Sequence, residues 1–211
     1  MCYAVGPLTD PDFISQLAIG LLILLFSLTV HEAAHAWSAD RLGDPTARRL
    51  GRLSLNPIVH IDPIGTLLFP LIALATNLPL IGWAKPVPVN TRALHPNWRQ
   101  KFMVIAAAGP ASNLVMAVIA AVLRPFVPDG VLSAVLYLAI RVNVLLALFN
   151  MIPVPPLDGG NVLAGMLTGP MADTFDRLRP YGFLILYALM LTGGLTAIIL
   201  PPEALLLSWL L

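Results

Sequence analysis

The stretch FISQLAIGLLILLFSLTVHEAAHAW, Phe13 to Trp37, decides how the rest of the chain is read. From Phe13 to Val30 it carries no charge and is long enough to cross most of a hydrocarbon core, and it runs without a break into His31, Glu32 and His35. Residues four apart share one face of a helix, so His31 and His35 offer two imidazole nitrogens to a single metal ion, while Glu32 points elsewhere and is left free as a base. That is the HExxH zinc pattern, hosted here by a membrane helix. The bland alternative is two histidines and a glutamate merely hydrogen-bonded to neighbouring helices. It is disfavoured, because three such groups at bilayer depth are costly and mark functional sites.

Composition supports the same class. Of 211 residues, 58% are hydrophobic and 11% charged, which fits an all-α polytopic membrane protein folded as one membrane-embedded domain over residues 1–211. A net charge of +1 provides no basic surface for nucleic acid, and no nucleotide-binding glycine loop is present. Cys2 is the sole cysteine, so a metal must be held by His, Asp or Glu. No Lys or Arg precedes the first apolar run, and no small-residue cleavage site follows it, so the first span is expected to be retained.

Along the chain, helical spans are expected at about 13–40, 103–123 and 131–149, with an additional span at about 183–200. Gly43, Asp44 and Pro45 end the first, and the segment 161–182 reads as interfacial. Basic residues set the orientation. Eight of the twelve lie between Arg41 and Lys101, and Arg177 and Arg179 follow the third span. Residues 41–101 and 150–182 are therefore expected on the cytoplasmic side, with the active site facing that side of the cell membrane. If both ends of 41–101 share a side, the apolar stretch within it cannot cross once. About 64–90 is read as a re-entrant or interfacial hairpin, whose KPVPVN part suits an extended edge strand, leaving about four full spans.

A catalytic zinc takes three protein ligands and keeps one position open. Glu203 is the only downstream glutamate, and by the charge pattern it lies on the opposite side from the histidines. Asp158 is the stronger choice. It sits in a Pro- and Gly-rich break at the cytoplasmic end of the third span, where Gly159 and Gly160 let the backbone bend and pack closely. Taken without HEAAH, PPLDGG would be an ordinary turn.

At this point the residues resemble a known family, the site-2 proteases, which are zinc intramembrane proteases. The resemblance is to the small bacterial members without PDZ or CBS domains. It is carried by HEAAH at 31–35, GRLSLNP at 51–57, HIDPIGT at 60–66, AGPASN at 108–113 and FNMIPVPPLDGG at 149–160, in order over about 130 residues. It implies that His31, His35 and Asp158 ligate one Zn2+, that Glu32 is the catalytic base, and that Asn113 and Asn150 lie near the active site. It also implies a core of three transmembrane helices at 13–40, 103–123 and 131–149. The implied activity is hydrolysis of peptide bonds in or near transmembrane segments, with a membrane protein or peptide as substrate and the lipid bilayer as medium.

Within that picture, Asn113 or Asn150 would donate to the developing oxyanion or satisfy backbone groups freed by the Gly109-Pro110 and Pro153 breaks. His60 and Asp62 would be second-shell partners of the metal or helix-entry caps. His95 reads as an exposed loop histidine. WAKPVPV, residues 83–89, is the candidate edge to hold an unwound substrate by strand addition. Arg141 has no role the family supplies; an acidic partner, a water-filled cavity or snorkelling would each accommodate it. The competing function is a non-hydrolytic metal-binding membrane protein, an ion carrier or inactive protease scaffold. Glu32 separates the two, since binding does not require it.

Overall fold

The computed structural model describes residues 11–62, Gly65, Leu68 and 84–211. Its elements are α1 (Pro11–Arg41), α2 (Thr46–Arg49), a 3-10 turn at Pro57–His60, α3 (Trp98–Leu123), α4 (Val131–Asn150), α5 (Asp158–Met166), α6 (Gly169–Leu178), α7 (Gly182–Leu191) and α8 (Gly194–Leu210), with further 3-10 turns at Arg124–Phe126 and Arg179–Tyr181. There is no strand among the described residues.

Among the described residues three helical stretches are long and apolar enough to cross a membrane: Ser15–Arg41, Trp98–Phe126 and Val131–Asn150. These are the three expected core spans. The additional span expected at 183–200 falls on a bent pair of helices. Gly193 adopts φ +75°, a left-handed conformation open to glycine, and stops α7. Gly169–Leu191 and Gly194–Leu210 meet at 76°, so among the described residues a fourth crossing is formed only if this bent pair counts as one span.

The helices meet through small residues. In lipid, apolar burial does not drive helix association; close packing and interhelical hydrogen bonds do. Accordingly Ala117 and Ala120 of α3 are buried against Ile140 and Val144 of α4, with Leu206, Leu207 and Leu210 of α8 packed on them. Deeper in α3, Pro110 withholds an N–H from the helix, and the Ser112 hydroxyl donates to the Gly109 carbonyl at 2.7 Å. Arg141 of α4 finds an acidic partner, Glu203 of α8, at 3.8 Å.

α1 ends where expected. Gly43 turns the chain at φ +106°, and the fully buried Asp44 accepts from Thr46 N at 3.0 Å and from Asn90 N at 2.6 Å. Residues 84–90 form a strap without regular secondary structure, and the rest of the expected hairpin lies largely outside the described residues. The strap is fastened at intervals: Lys85 N donates to the His60 carbonyl at 2.9 Å, Arg52 donates to the Lys85 carbonyl, and Val87 N donates to Glu32 Oε2 at 3.0 Å. Most of the expected re-entrant segment, namely residues 63, 64, 66, 67 and 69–83, lies outside the described residues.

Candidate metal centre

Residues 31–41 contain no proline or glycine, so α1 continues unbroken from its lipid-crossing part through HEAAH. His31 and His35 stand one turn apart with their Nε2 atoms 3.0 Å from each other. The third group arrives from 123 residues further on: Asp158 opens α5, and its Oδ2 lies 3.1 Å from His31 Nε2 and 3.3 Å from His35 Nε2. Reaching that point requires the chain after α4 to fold tightly back. Gly159 makes this possible, since a Cβ there would sit 2.6 Å from the Ile152 carbonyl oxygen. The histidines are 3% and 8% exposed, so the centre is nearly closed to solvent.

Does this donor set fit a cation? His35 Nδ1 lies 2.7 Å from the Ile105 carbonyl oxygen, which can only accept. The ring proton is therefore on Nδ1, and Nε2 of the neutral ring presents a lone pair. Asp158 Oδ2 is buried and, despite its two close nitrogens, takes no properly directed hydrogen bond from either. Burial would push the Asp158 carboxyl up, but the imidazoles of His31 and His35 outweigh it and bring it down to about 2, so the group is a carboxylate. Two imidazole nitrogens and a carboxylate oxygen held this close together are a donor set that one cation would satisfy at once. Two imidazoles and one carboxylate suit zinc. Overhead, α3 leaves room: a Cβ on Gly109 would lie 2.5 Å from His31 Nε2, in the space a metal would use.

The other expected site residues divide. Glu32, 8% exposed, holds its Oε2 against the Val87 N–H. Asn113 does reach the site, but as a partner of a ligand. Its Oδ1 is 2.6 Å from His31 Nδ1 and its Nδ2 donates to Asn143 Oδ1 at 2.9 Å, so both ends of the amide are engaged. Asn150 donates to the Leu146 carbonyl of its own helix at 2.9 Å, one turn back and not a group freed by Pro153. His60 is not a metal partner. Its Nε2 donates to the Ser54 carbonyl at 2.8 Å, and its own carbonyl holds the strap. Asp62 accepts from Gly65 N at 2.7 Å, a capping contact. Glu203, paired with Arg141, is not at the histidines. Sequence reasoning missed Asn143, Gly109 and the Val87 N–H. A polar residue inside an apolar span was the one available signal for Asn143.

Comparison with known proteins agrees. A model described as peptidase family M50 matches residues 125–192, a range that contains Asp158 and leaves out HEAAH. The chain is 34% identical over 182 residues to YwhC of Bacillus subtilis (strain 168), classed by name with the zinc metalloproteases, across 82% of this chain and 80% of that protein. It is 32% identical over 192 residues to Rip2 of Mycolicibacterium smegmatis, named in the same way, across 86% of this chain and 71% of that one. No solved structure matches. With identity of this order extending over most of both partners, and with His31 and His35 of a membrane helix gathered against Asp158 of the short α5, the chain belongs to peptidase family M50, the zinc metalloproteases that include the site-2 proteases.

Proposed function

We propose that the protein is an intramembrane endopeptidase carrying one zinc per chain, which cuts membrane proteins in or near their transmembrane segments. The observation that carries this reading is the position of the donor set. His31 and His35 lie about 9–15 Å along α1 from its end at Arg41, at 1.5 Å per residue, inside a stretch long and apolar enough to span a bilayer. His31, His35 and Asp158 hold the metal. Zinc, when bound, supplies Lewis acidity that polarises the scissile carbonyl and makes water nucleophilic near neutral pH. Glu32 accepts the proton from the attacking water and delivers it to the leaving amine. The Val87 N–H fixes one oxygen of that carboxylate and so orients the base.

The substrate helix must unwind locally for its backbone to be reached. The strap does not serve as an edge for it over residues 86–88: Pro86 and Pro88 have no N–H, and Val87 spends its own on Glu32. Purified protein in liposomes is expected to cut a transmembrane peptide with a central Gly or Pro, to lose that activity with a zinc chelator and to regain it with added zinc. Cleavage that persists after complete removal of metal would sink the reading.

The centre faces the cytoplasm in this proposal. Ten of the twelve basic residues fall in two loops, and those loops are tied together, since Asp176 accepts from Arg99 at 2.9 Å and from Arg179 at 3.0 Å. In a Cys2→Ala background, cysteines placed at Arg49, Trp98 and Arg179 should all react with an impermeant reagent from the cytoplasmic side. Labelling of Trp98→Cys from the outside alone would refute the assignment.

A further inference from the structure

We propose that Asn143, which touches neither metal nor substrate, is a positioning residue that sets the zinc-binding tautomer of His31 through Asn113. This rests on the reading of the site as a zinc centre. His31 can ligate through Nε2 only if its proton is on Nδ1, and Nδ1 faces the side-chain amide of Asn113 at 2.6 Å. An amide is ambiguous. Its oxygen would accept from Nδ1–H and favour metal binding, whereas its NH2 group would donate to Nδ1, move the proton to Nε2 and block the metal. For His35 a backbone carbonyl removes that ambiguity. For His31 something must keep the Asn113 oxygen turned inward.

The buried polar chain supplies it. The Ala139 carbonyl can only accept, so the group facing it at 2.9 Å is the NH2 of Asn143. That turns Asn143 Oδ1 toward Asn113, whose NH2 donates to it at 2.9 Å, and leaves Asn113 Oδ1 toward His31. A flip of either amide alone sets two oxygens face to face, and a flip of both sets the Asn143 oxygen against the Ala139 carbonyl. Asn113 is fully buried and Asn143 is 3% exposed, so water cannot rescue a wrong orientation. The Ser27 carbonyl, 3.5 Å from Asn113 Nδ2, favours the same orientation from the limit of hydrogen-bond reach. One carbonyl of α4 therefore fixes a proton on α1, by way of one amide on α4 and one on α3. A carboxylate in place of Asn113 would need no such guide but would add a charge to an apolar region.

The test uses the full chain in lipid nanodiscs with 15N-labelled imidazoles, of which there are four. In metal-free wild type, at a pH where the rings are neutral, His31 is expected to carry its proton on Nδ1; finding it on Nε2 would overturn the proposal without any variant. Asn143→Leu keeps the volume and removes the guide. It should shift His31 toward the Nε2–H form and weaken zinc binding ten- to a hundredfold, the usual cost of losing an outer partner of a ligand. Asn143→Asp, kept protonated by its buried apolar surroundings, donates its O–H to the Ala139 carbonyl and accepts from Asn113 through its other oxygen, so it should keep both the tautomer and the zinc affinity. If Asn143→Leu retains the wild-type tautomer and affinity, or if Asp and Leu weaken zinc equally, the relay is wrong. A wild type that binds no zinc would instead overturn the metal reading, and the metal-free spectra would still decide the relay.

Discussion

Gly109→Ala should leave a folded protein that holds almost no zinc and cuts nothing. The added methyl would lie 2.5 Å from His31 Nε2 and equally close to His35 Nε2, far inside ordinary contact distance. α3 cannot retreat to relieve this, because the same helix grips both rings from behind. Asn113 holds His31 at 2.6 Å and the Ile105 carbonyl holds His35 at 2.7 Å. Either the imidazoles swing away from Asp158 or these two bonds are lost, and in both cases the donor set opens. Gly20→Ala is the control. It lies on α1 with nothing within 4 Å of an added Cβ and should keep a full complement of zinc. Metal analysis and thermal unfolding in detergent read the two variants. A Gly109→Ala protein with wild-type zinc content would mean that the nitrogens face somewhere else.

Glu32→Gln should keep fold and zinc yet lower kcat by at least the roughly hundredfold typical of losing a general base, with little change in KM. The substitution is well suited to the question. Glutamine retains an oxygen that can accept from the Val87 N–H, so the strap stays fastened and only the proton acceptor is lost. Asp158→Asn makes the contrast, since it weakens a ligand and should lower zinc occupancy together with activity. If Glu32→Gln cleaves the same peptide at the wild-type rate, the protein is not hydrolysing by this route, and the metal-binding scaffold becomes the better account.

What could be read in advance followed from how local the information was. His31 and His35 are one helical turn apart, so their convergence is a property of the helix alone. The three core spans were legible because length and apolarity decide them. A fourth crossing was read as well, but not the bend within it, although Gly193 and Gly194 were in plain view, because the run around them is apolar enough to mask a backbone break. Asn113 and Asn150 stood as equals in the chain; only the register between α1, α3 and α4 sends one to His31 and the other back to its own helix. That register is a tertiary fact, and no spacing within either segment encodes it. The strap is intermediate. Its prolines announced extended backbone, while its attachment to Glu32, His60 and Asp44 depends on contacts distant in sequence.

The 123 residues that separate His35 from Asp158 also set a clock on biosynthesis. At about 5–20 residues per second, Asp158 leaves the ribosome about 6–25 s after His35, and it reaches the histidines only once α3 and α4 have entered the bilayer and the chain has turned back at Gly159. For all of that interval the nascent chain carries two histidines and the base Glu32 without the donor that completes the set. On the proposed zinc-protease function, the complete donor set would therefore form only after membrane insertion, and a truncated or half-inserted chain would be inert toward the other proteins being threaded into the same membrane.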